Sequence, residues 1–235
     1  MDEESICLYR YMTNEAAIAT LESCAFRVSE PRLVNDPFEF RVSSELMDSD
    51  FLGIYKQSLD RKGFLSFSEN DRNIQMWGNY ADCHKGVCFK FEFPNKRPIN
   101  IKFESLCGSE TKLNNGKGVL LKVSYKEELY SSSDENESKN GADKFNAISS
   151  RKGLDWRHEK EWRIVLLLSH CYEGKGGRYY ISMSNFEKYF KSIVLGCKNP
   201  HDINYWKNLC QANGFNDIEI KKLKIHDEVY KLTYI

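Results

Sequence analysis

His158-Glu159-Lys160-Glu161-Trp162-Arg163-Ile164-Val165-Leu166-Leu167-Leu168 places two carboxylates, two residues apart, at the entrance to the most apolar run in the chain. Residues 164–168 are branched aliphatics with no turn residue among them, the composition of a buried strand. Alternate side chains of a strand share a face, so Glu159, Glu161 and Arg163 are expected on one side and Trp162, Ile164 and Leu166 on the other. A carboxylate where a strand enters the core is partly desolvated yet still reachable, which suits a catalytic base or an electrostatic anchor. The plainer alternative is a structural ion pair between Glu161 and Arg163, which perturbs a carboxylate just as well. Taken alone, this segment favours the pairing, so the rest of the chain has to decide.

The 235 residues suit one large α+β domain, residues 1–235, with an acidic loop at 130–144. The 34 basic and 34 acidic residues cancel, which argues against a general electrostatic nucleic-acid binder. A local basic groove stays open. No apolar run approaches the roughly 20 residues of a membrane helix. The start Met1-Asp2-Glu3-Glu4 is acidic, the reverse of a signal peptide, so a cytoplasmic protein without membrane attachment is expected. The eight cysteines are scattered without any CxxC, which reads as buried small hydrophobes in a reducing compartment. Cys83-His84 followed by Cys88 resembles a metal cluster only superficially, because no second ligand pair has usable spacing. No metal is expected.

Working outward, residues 8–12 read as a first strand, and Thr13 or Asn14 can cap a helix in which Ala17, Ile18 and Leu21 recur at helical spacing. Glu30-Pro31 and Asn35-Asp36-Pro37-Phe38 are loop signals. A helix is expected within residues 45–59. Residues 63–68 alternate as a half-buried strand with Phe64, Ser66 and Ser68 on one face. A helix over about residues 73–80 precedes the aromatic strand 86–93, whose phenylalanines are expected to pack in the core. Residues 120–125, 178–181, 191–196, 218–225 and 229–235 read as strands. Residues 202–212 read as a helix with Ile203, Trp206 and Leu209 on its core side. About eight strands and four helices, with helices early and strands late, make an α+β chain.

No GxGxxG, GxxxxGK[ST], GxSxG or HExxH is present, and no two of the five histidines have metal-ligand spacing. What remains is a polar set on three strands: Arg10 early, Ser66 and Ser68 in the middle, Glu159 and Glu161 late. Each of these has an ordinary structural explanation, and their order is the informative part.

With these residues in view, the chain resembles the bacterial family catalogued as domain of unknown function 2971. The resemblance runs through Leu8-Tyr9-Arg10-Tyr11, Ser29-Glu30-Pro31, Asn35-Asp36-Pro37-Phe38-Glu39 and Phe64-Leu65-Ser66-Phe67-Ser68. It continues in Met76-Trp77-Gly78-Asn79-Tyr80-Ala81-Asp82-Cys83-His84-Lys85-Gly86, then Trp156 and Glu159-Lys160-Glu161-Trp162-Arg163. A looser resemblance is to ADP-ribosyltransferases, where an Arg or His, a Ser-x-Ser and a Glu-x-Glu occur in the same order. That resemblance implies two small, mainly antiparallel sheets with flanking helices around a cleft that holds NAD as substrate, without a metal. It implies that Arg10 contacts the ribose or phosphates, that Ser66 and Ser68 support the nicotinamide ribose and the catalytic acid, and that Glu161 is catalytic with Glu159 upstream of it. Trp77 and Tyr80 would line the nicotinamide pocket, although no strict motif maps there. The chain departs from the pattern at Phe67, where many members carry Thr, and in the shortness of the arginine strand.

The leading expectation is therefore an NAD-dependent ADP-ribosyltransferase or NAD glycohydrolase of toxin or phage-defence type. Its partners would be NAD, an acceptor that is a protein, nucleic acid or small molecule, and an antitoxin or other defence-system component. The alternatives are a non-enzymatic binding module and, less favoured by the neutral charge, a nuclease using Glu159, Glu161 and His158 or His84.

Overall fold

The computed structural model of the chain describes residues 5–47, 50–94, 98–107, 110–137, 141–174 and 176–235. In chain order its first regular elements are β1 (Ser5–Met12), α1 (Asn14–Ser23), β2 (Ala25–Arg27), α2 (Asp50–Leu59), β3 (Lys62–Ser68) and α3 (Ile74–Tyr80). Next come β4 (Val87–Pro94), β5 (Ile99–Cys107), β6 (Glu110–Lys122), β7 (Ser124–Lys126), α4 (Ser132–Glu137) and α5 (Gly141–Ser149). Then follow β8 (Arg151–Gly153), β9 (Glu161–Leu167), β10 (Tyr172–Glu173) and β11 (Tyr179–Ser182). Last are β12 (Phe190–Leu195), α6 (Ile203–Ala212), β13 (Glu219–Ile225) and β14 (Leu232–Tyr234). The protein is α+β, as its pattern of elements predicts. Among the described residues no helix is long and apolar enough to cross a membrane.

The chain forms two compact units that interleave in sequence. One comprises Met1–Arg27, Phe67–Arg97 and Ile181–Ile235, and the other Val28–Ser66 and Pro98–Tyr180.

In the first unit the strand order is β14-β13-β12-β4-β1, and the end of β3 lies beside β1 through Tyr9 opposite Ser68. β1 and β4 pair antiparallel along their whole length, from Ser5 opposite Pro94 to Met12 opposite Val87. The alternation in β4 sends Phe89, Phe91 and Phe93 into the core, all fully buried, where they meet Phe26, Phe67 and Phe190 at ring distances of 4.9 to 6.5 Å. Offset and edge-on ring pairs of this kind add to the burial of apolar area. The aromatic strand is core, as expected. Thr13 caps α1, accepting a hydrogen bond from the Ala16 amide at 3.2 Å, and Asn73 caps α3 by accepting from Gln75 and Met76. After α3, Asp82, Cys83 and His84 all take positive φ. This tight left-handed turn brings Gly86 so close to β1 that a Cβ there would lie 2.2 Å from the Met12 carbonyl oxygen.

In α6 the expected core side of Ile203, Trp206 and Leu209 holds in part, with Leu209 half-buried. Trp206 and Cys210 are buried, but Ile203 is exposed.

In the second unit residues 62–66 of β3 lie beside β9, followed by β6 and β5. β6 and β9 pair antiparallel, with Leu121 opposite Arg163 and Val119 opposite Val165. The hairpin of β5 and β6 runs from Ile99 opposite Gly118 to Cys107 opposite Glu110. In β5, Ile99, Ile101 and Phe103 alternate with polar residues, and Ile99 and Ile101 are fully buried. The strand expected over residues 120–125 is broken at Val123, whose amide donates to the Glu161 carbonyl at 2.9 Å. Beyond that break β7 turns to pair in parallel with β8. The core gathers Val42, Leu46, Leu52, Tyr55, Phe64, Tyr130, Phe145, Ile148 and Val165. Within the acidic stretch 130–144, α4 forms, and Asp134 takes both guanidinium nitrogens of Arg151.

Candidate functional site: a buried five-charge cluster beside a cavity

The apolar run 164–167 forms β9 as expected, and Glu161 opens it. Glu159 is not on the strand. It ends a 3-10 turn, Leu154–Glu159, and Lys160 follows in the left-handed region at φ 45. The strand alternation proposed for Glu159 is thereby replaced by a reversal at Lys160, yet Glu159 and Glu161 still reach a common partner. That partner is Lys152 of β8, whose Nζ lies 2.6 Å from Glu159 Oε2, 2.9 Å from Glu39 Oε1 and 3.6 Å from Glu161 Oε2. Arg163 completes the cluster. Its Nε and Nη2 donate to the two oxygens of Glu161 at 2.9 and 2.8 Å, Nη2 also donates to Glu39 at 2.7 Å, and Nη1 donates to the Ser149 carbonyl at 2.8 Å.

All five side chains are between 1% and 7% exposed. Removing an ion from water costs several kcal/mol even after relaxation, so such a cluster persists only with good mutual geometry. Three carboxylates face two cations, which leaves one negative charge in excess.

The imbalance divides the carboxylates. Burial raises the pKa of Glu39, helped by the negative charge of Glu161, and Arg163 and Lys152 only partly offset it. Burial acts on Glu161 in the same sense, but the Arg163 fork, Lys152 and a hydrogen bond from the Ser66 side chain outweigh it, so its pKa is lowered. Burial alone would lower Lys152, but Glu161, Glu39 and Glu159 together hold it above the usual lysine value. Arg163 is raised by its two carboxylates in the same way. The Tyr125 hydroxyl accepts the Glu161 backbone amide at 2.7 Å and fixes the start of β9.

Beside the cluster the second unit holds a cavity of about 720 Å³. Lys152 lines it with Trp156, and its ammonium lies 4.5 Å from that ring's centroid. Phe38 and Phe40 add two further rings, and Arg41 and Arg157 two guanidiniums. Of the five charged side chains of the cluster, Lys152 is the one that lines this space of small-molecule size, and the Glu161 carboxylate with its arginine fork is not part of the lining.

Of the residues singled out in the sequence, the structure brings Ser66, Glu159 and Glu161 together in the second unit. Arg10, Ser68, Trp77 and Tyr80 belong to the first unit. There the Arg10 guanidinium lies 5.7 Å from the Phe26 ring and 5.9 Å from the Phe67 ring, and its Nη2 donates to the Arg27 carbonyl at 3.3 Å. Burial lowers its pKa to about 10. Ser68 Oγ accepts the Asn70 amide at 3.3 Å. Trp77 is fully buried, donates to the Asp71 carbonyl at 2.7 Å and meets Tyr11 edge-on. Tyr80 ends α3, half-buried. Sequence reasoning missed Glu39 and Lys152. Glu39 had a signal, since it closes the Asn35-Asp36-Pro37-Phe38-Glu39 block, whereas nothing local distinguishes Lys152.

Among the described residues no group of three or more His, Cys, Asp or Glu side chains is placed to hold a metal ion. No curated protein and no solved structure matches the chain. Residues 76–164, a span that holds both the Trp77-to-Gly86 block and the Glu161–Arg163 pair, match the family model described as Protein of unknown function (DUF2971).

Proposed function

We propose that the chain is an NAD-consuming enzyme, an ADP-ribosyltransferase or NAD glycohydrolase of the toxin or phage-defence type, with Glu161 as its catalytic carboxylate. The observation that carries this reading is the hydrogen bond between Ser66 and Glu161. Breaking the bond from nicotinamide to ribose builds positive charge at the anomeric carbon while the ring departs with the bonding electrons. An ionised carboxylate fixed nearby stabilises that charge, and Arg163, Lys152 and Ser66 keep Glu161 in the ionised form. Attack by water gives ADP-ribose and a proton, whereas attack by another nucleophile gives an ADP-ribosylated acceptor. Glu159 is the second carboxylate of the pair and steadies Lys152. The finer fold expectation, two small sheets around an NAD cleft, and a cytoplasmic site of action belong to this proposal.

The test is nicotinamide release from NAD by wild-type and Glu161→Gln protein, with lysate as a source of acceptor. The substitution brings the cluster from one excess negative charge to balance, so the variant is expected to fold and to release no nicotinamide. Undiminished release by the variant sinks the assignment.

A second reading, a non-enzymatic binding module, is favoured by one observation. Both Glu161 oxygens already accept hydrogen bonds from Arg163, and the side chain is only 7% exposed. On that reading the cluster is a structural anchor and the cavity is the working part. Nicotinamide release that is lost in Glu161→Gln counts against it.

A further inference from the structure

We infer that the cavity of the second unit is a nucleotide-binding site that stacks the base on Trp156 and holds the phosphate on Arg41 and Arg157. Taking that nucleotide to be the adenylate half of NAD rests on the reading proposed above. As a nucleotide site, the cavity stands on its own lining.

The volume, about 720 Å³, lies within the range of roughly 300–1,000 Å³ that small-molecule sites occupy. The lining divides into groups that are already engaged and groups that are not. Arg151 is held by Asp134, and Lys152 by three carboxylates, so both serve as wall. Arg41, Lys126 and Arg157 make no ion pair among the described residues, and neither do Glu127, Glu128 and Asp155. Cationic forks and carboxylates therefore line one cavity without neutralising each other. With them stand Trp156 and Phe38, the latter 62% exposed although it is a large apolar ring.

A ligand that satisfies all three groups needs a planar ring, hydroxyl donors and an anion in one small molecule. A nucleotide has that composition. Its base stacks on an aromatic face, its ribose hydroxyls donate to carboxylates, and its phosphate takes the planar fork of an arginine. A simple anion leaves the rings and the carboxylates unused, and a purely apolar ligand leaves six charged side chains unused.

The experiment is calorimetric titration of the full chain with AMP, with orthophosphate as a second probe. Wild-type protein is expected to bind AMP, and Trp156→Ala to weaken it about tenfold or more, the usual scale for losing one base stack. Trp156 also packs against Lys152, so Arg41→Ala, at an exposed position, provides a second variant whose AMP affinity is expected to fall by a similar factor. No AMP binding by wild-type protein, unchanged affinity in both variants, or orthophosphate binding as tightly as AMP overturns the proposal. AMP binding that depends on Trp156 without nicotinamide release keeps the site and removes the NAD chemistry. Nicotinamide release by a protein that does not bind AMP does the reverse.

Discussion

Arg163 grips Glu161 with two parallel hydrogen bonds, Nε to Oε1 at 2.9 Å and Nη2 to Oε2 at 2.8 Å, although the two residues are separated by a single position on β9. In a flat strand both would simply share a face. Here the shared face is closed by Glu39 and Lys152, which turns a local pair into a buried network. The cluster is therefore cooperative, and removing a cation is expected to cost far more than removing one carboxylate.

Arg163→Met leaves three buried carboxylates, Glu39, Glu159 and Glu161, facing the single cation Lys152. Breaking a buried pair from one side typically costs about 3–5 kcal/mol. Urea unfolding monitored by circular dichroism should show a loss of that size. A loss below about 1 kcal/mol would mean that the cluster is wet and loosely held.

The pH dependence has two opposed parts. Glu161 has a depressed pKa, so its contribution is present above the unfolded glutamate value of about 4.3 and is lost as pH falls through the folded value. Glu39 is raised, so it detracts from stability as pH rises from about 4.3 through its folded value. Glu161→Gln should therefore flatten the acid limb of the stability curve, and Glu39→Gln should flatten the decline on its neutral side. Unfolding free energies of the two variants from acid to neutral pH check the signs. Identical curves would contradict the division.

Gly86 and Gly78 should respond oppositely to alanine. A Cβ at Gly86 would fall 2.2 Å from the Met12 carbonyl oxygen and 2.9 Å from the Ala81 backbone, and backbone atoms cannot rotate away. Gly86→Ala is expected to destabilise by about 2 kcal/mol or more. Gly78 lies within α3 with nothing within 4 Å of its Cβ position. Gly78→Ala should stabilise by about 0.5–1 kcal/mol through helix propensity. Thermal melts of both variants side by side read the two signs.

Ser66→Ala removes one hydrogen bond to the ionised Glu161. Bonds to charged groups contribute about 1.5–3 kcal/mol, so on the proposed function nicotinamide release should fall by about ten- to a hundredfold. The fold should persist, because Arg163 still holds the carboxylate. Unchanged turnover in a variant that is otherwise intact would remove Ser66 from the reaction.

Local chemistry determined much of this protein without reference to its tertiary structure. Thr13, Asn73 and Asp202 cap their helices because a short side-chain oxygen there meets otherwise unpaired amides. The alternation from Val87 to Phe93 fixes which face of β4 is core, and the apolar run after Glu161 fixes β9. That Glu159 and Glu161 lie close was legible, but not how: strand alternation predicted a shared face, whereas they meet through Lys152 across the reversal at Lys160. The pairing of Ser66 with Glu161 was implied by the resemblance. What only the tertiary structure decided are the long-range pairings. The hairpin of β5 and β6 takes its register, from Ile99 opposite Gly118 to Cys107 opposite Glu110, because each strand supplies the other's hydrogen bonds. Glu39 meets Arg163 across 124 positions, and Lys152 reaches Glu159 because Lys160 reverses the chain. A buried charge must find its counter-charge wherever the fold brings one, and no local pattern encodes that partner.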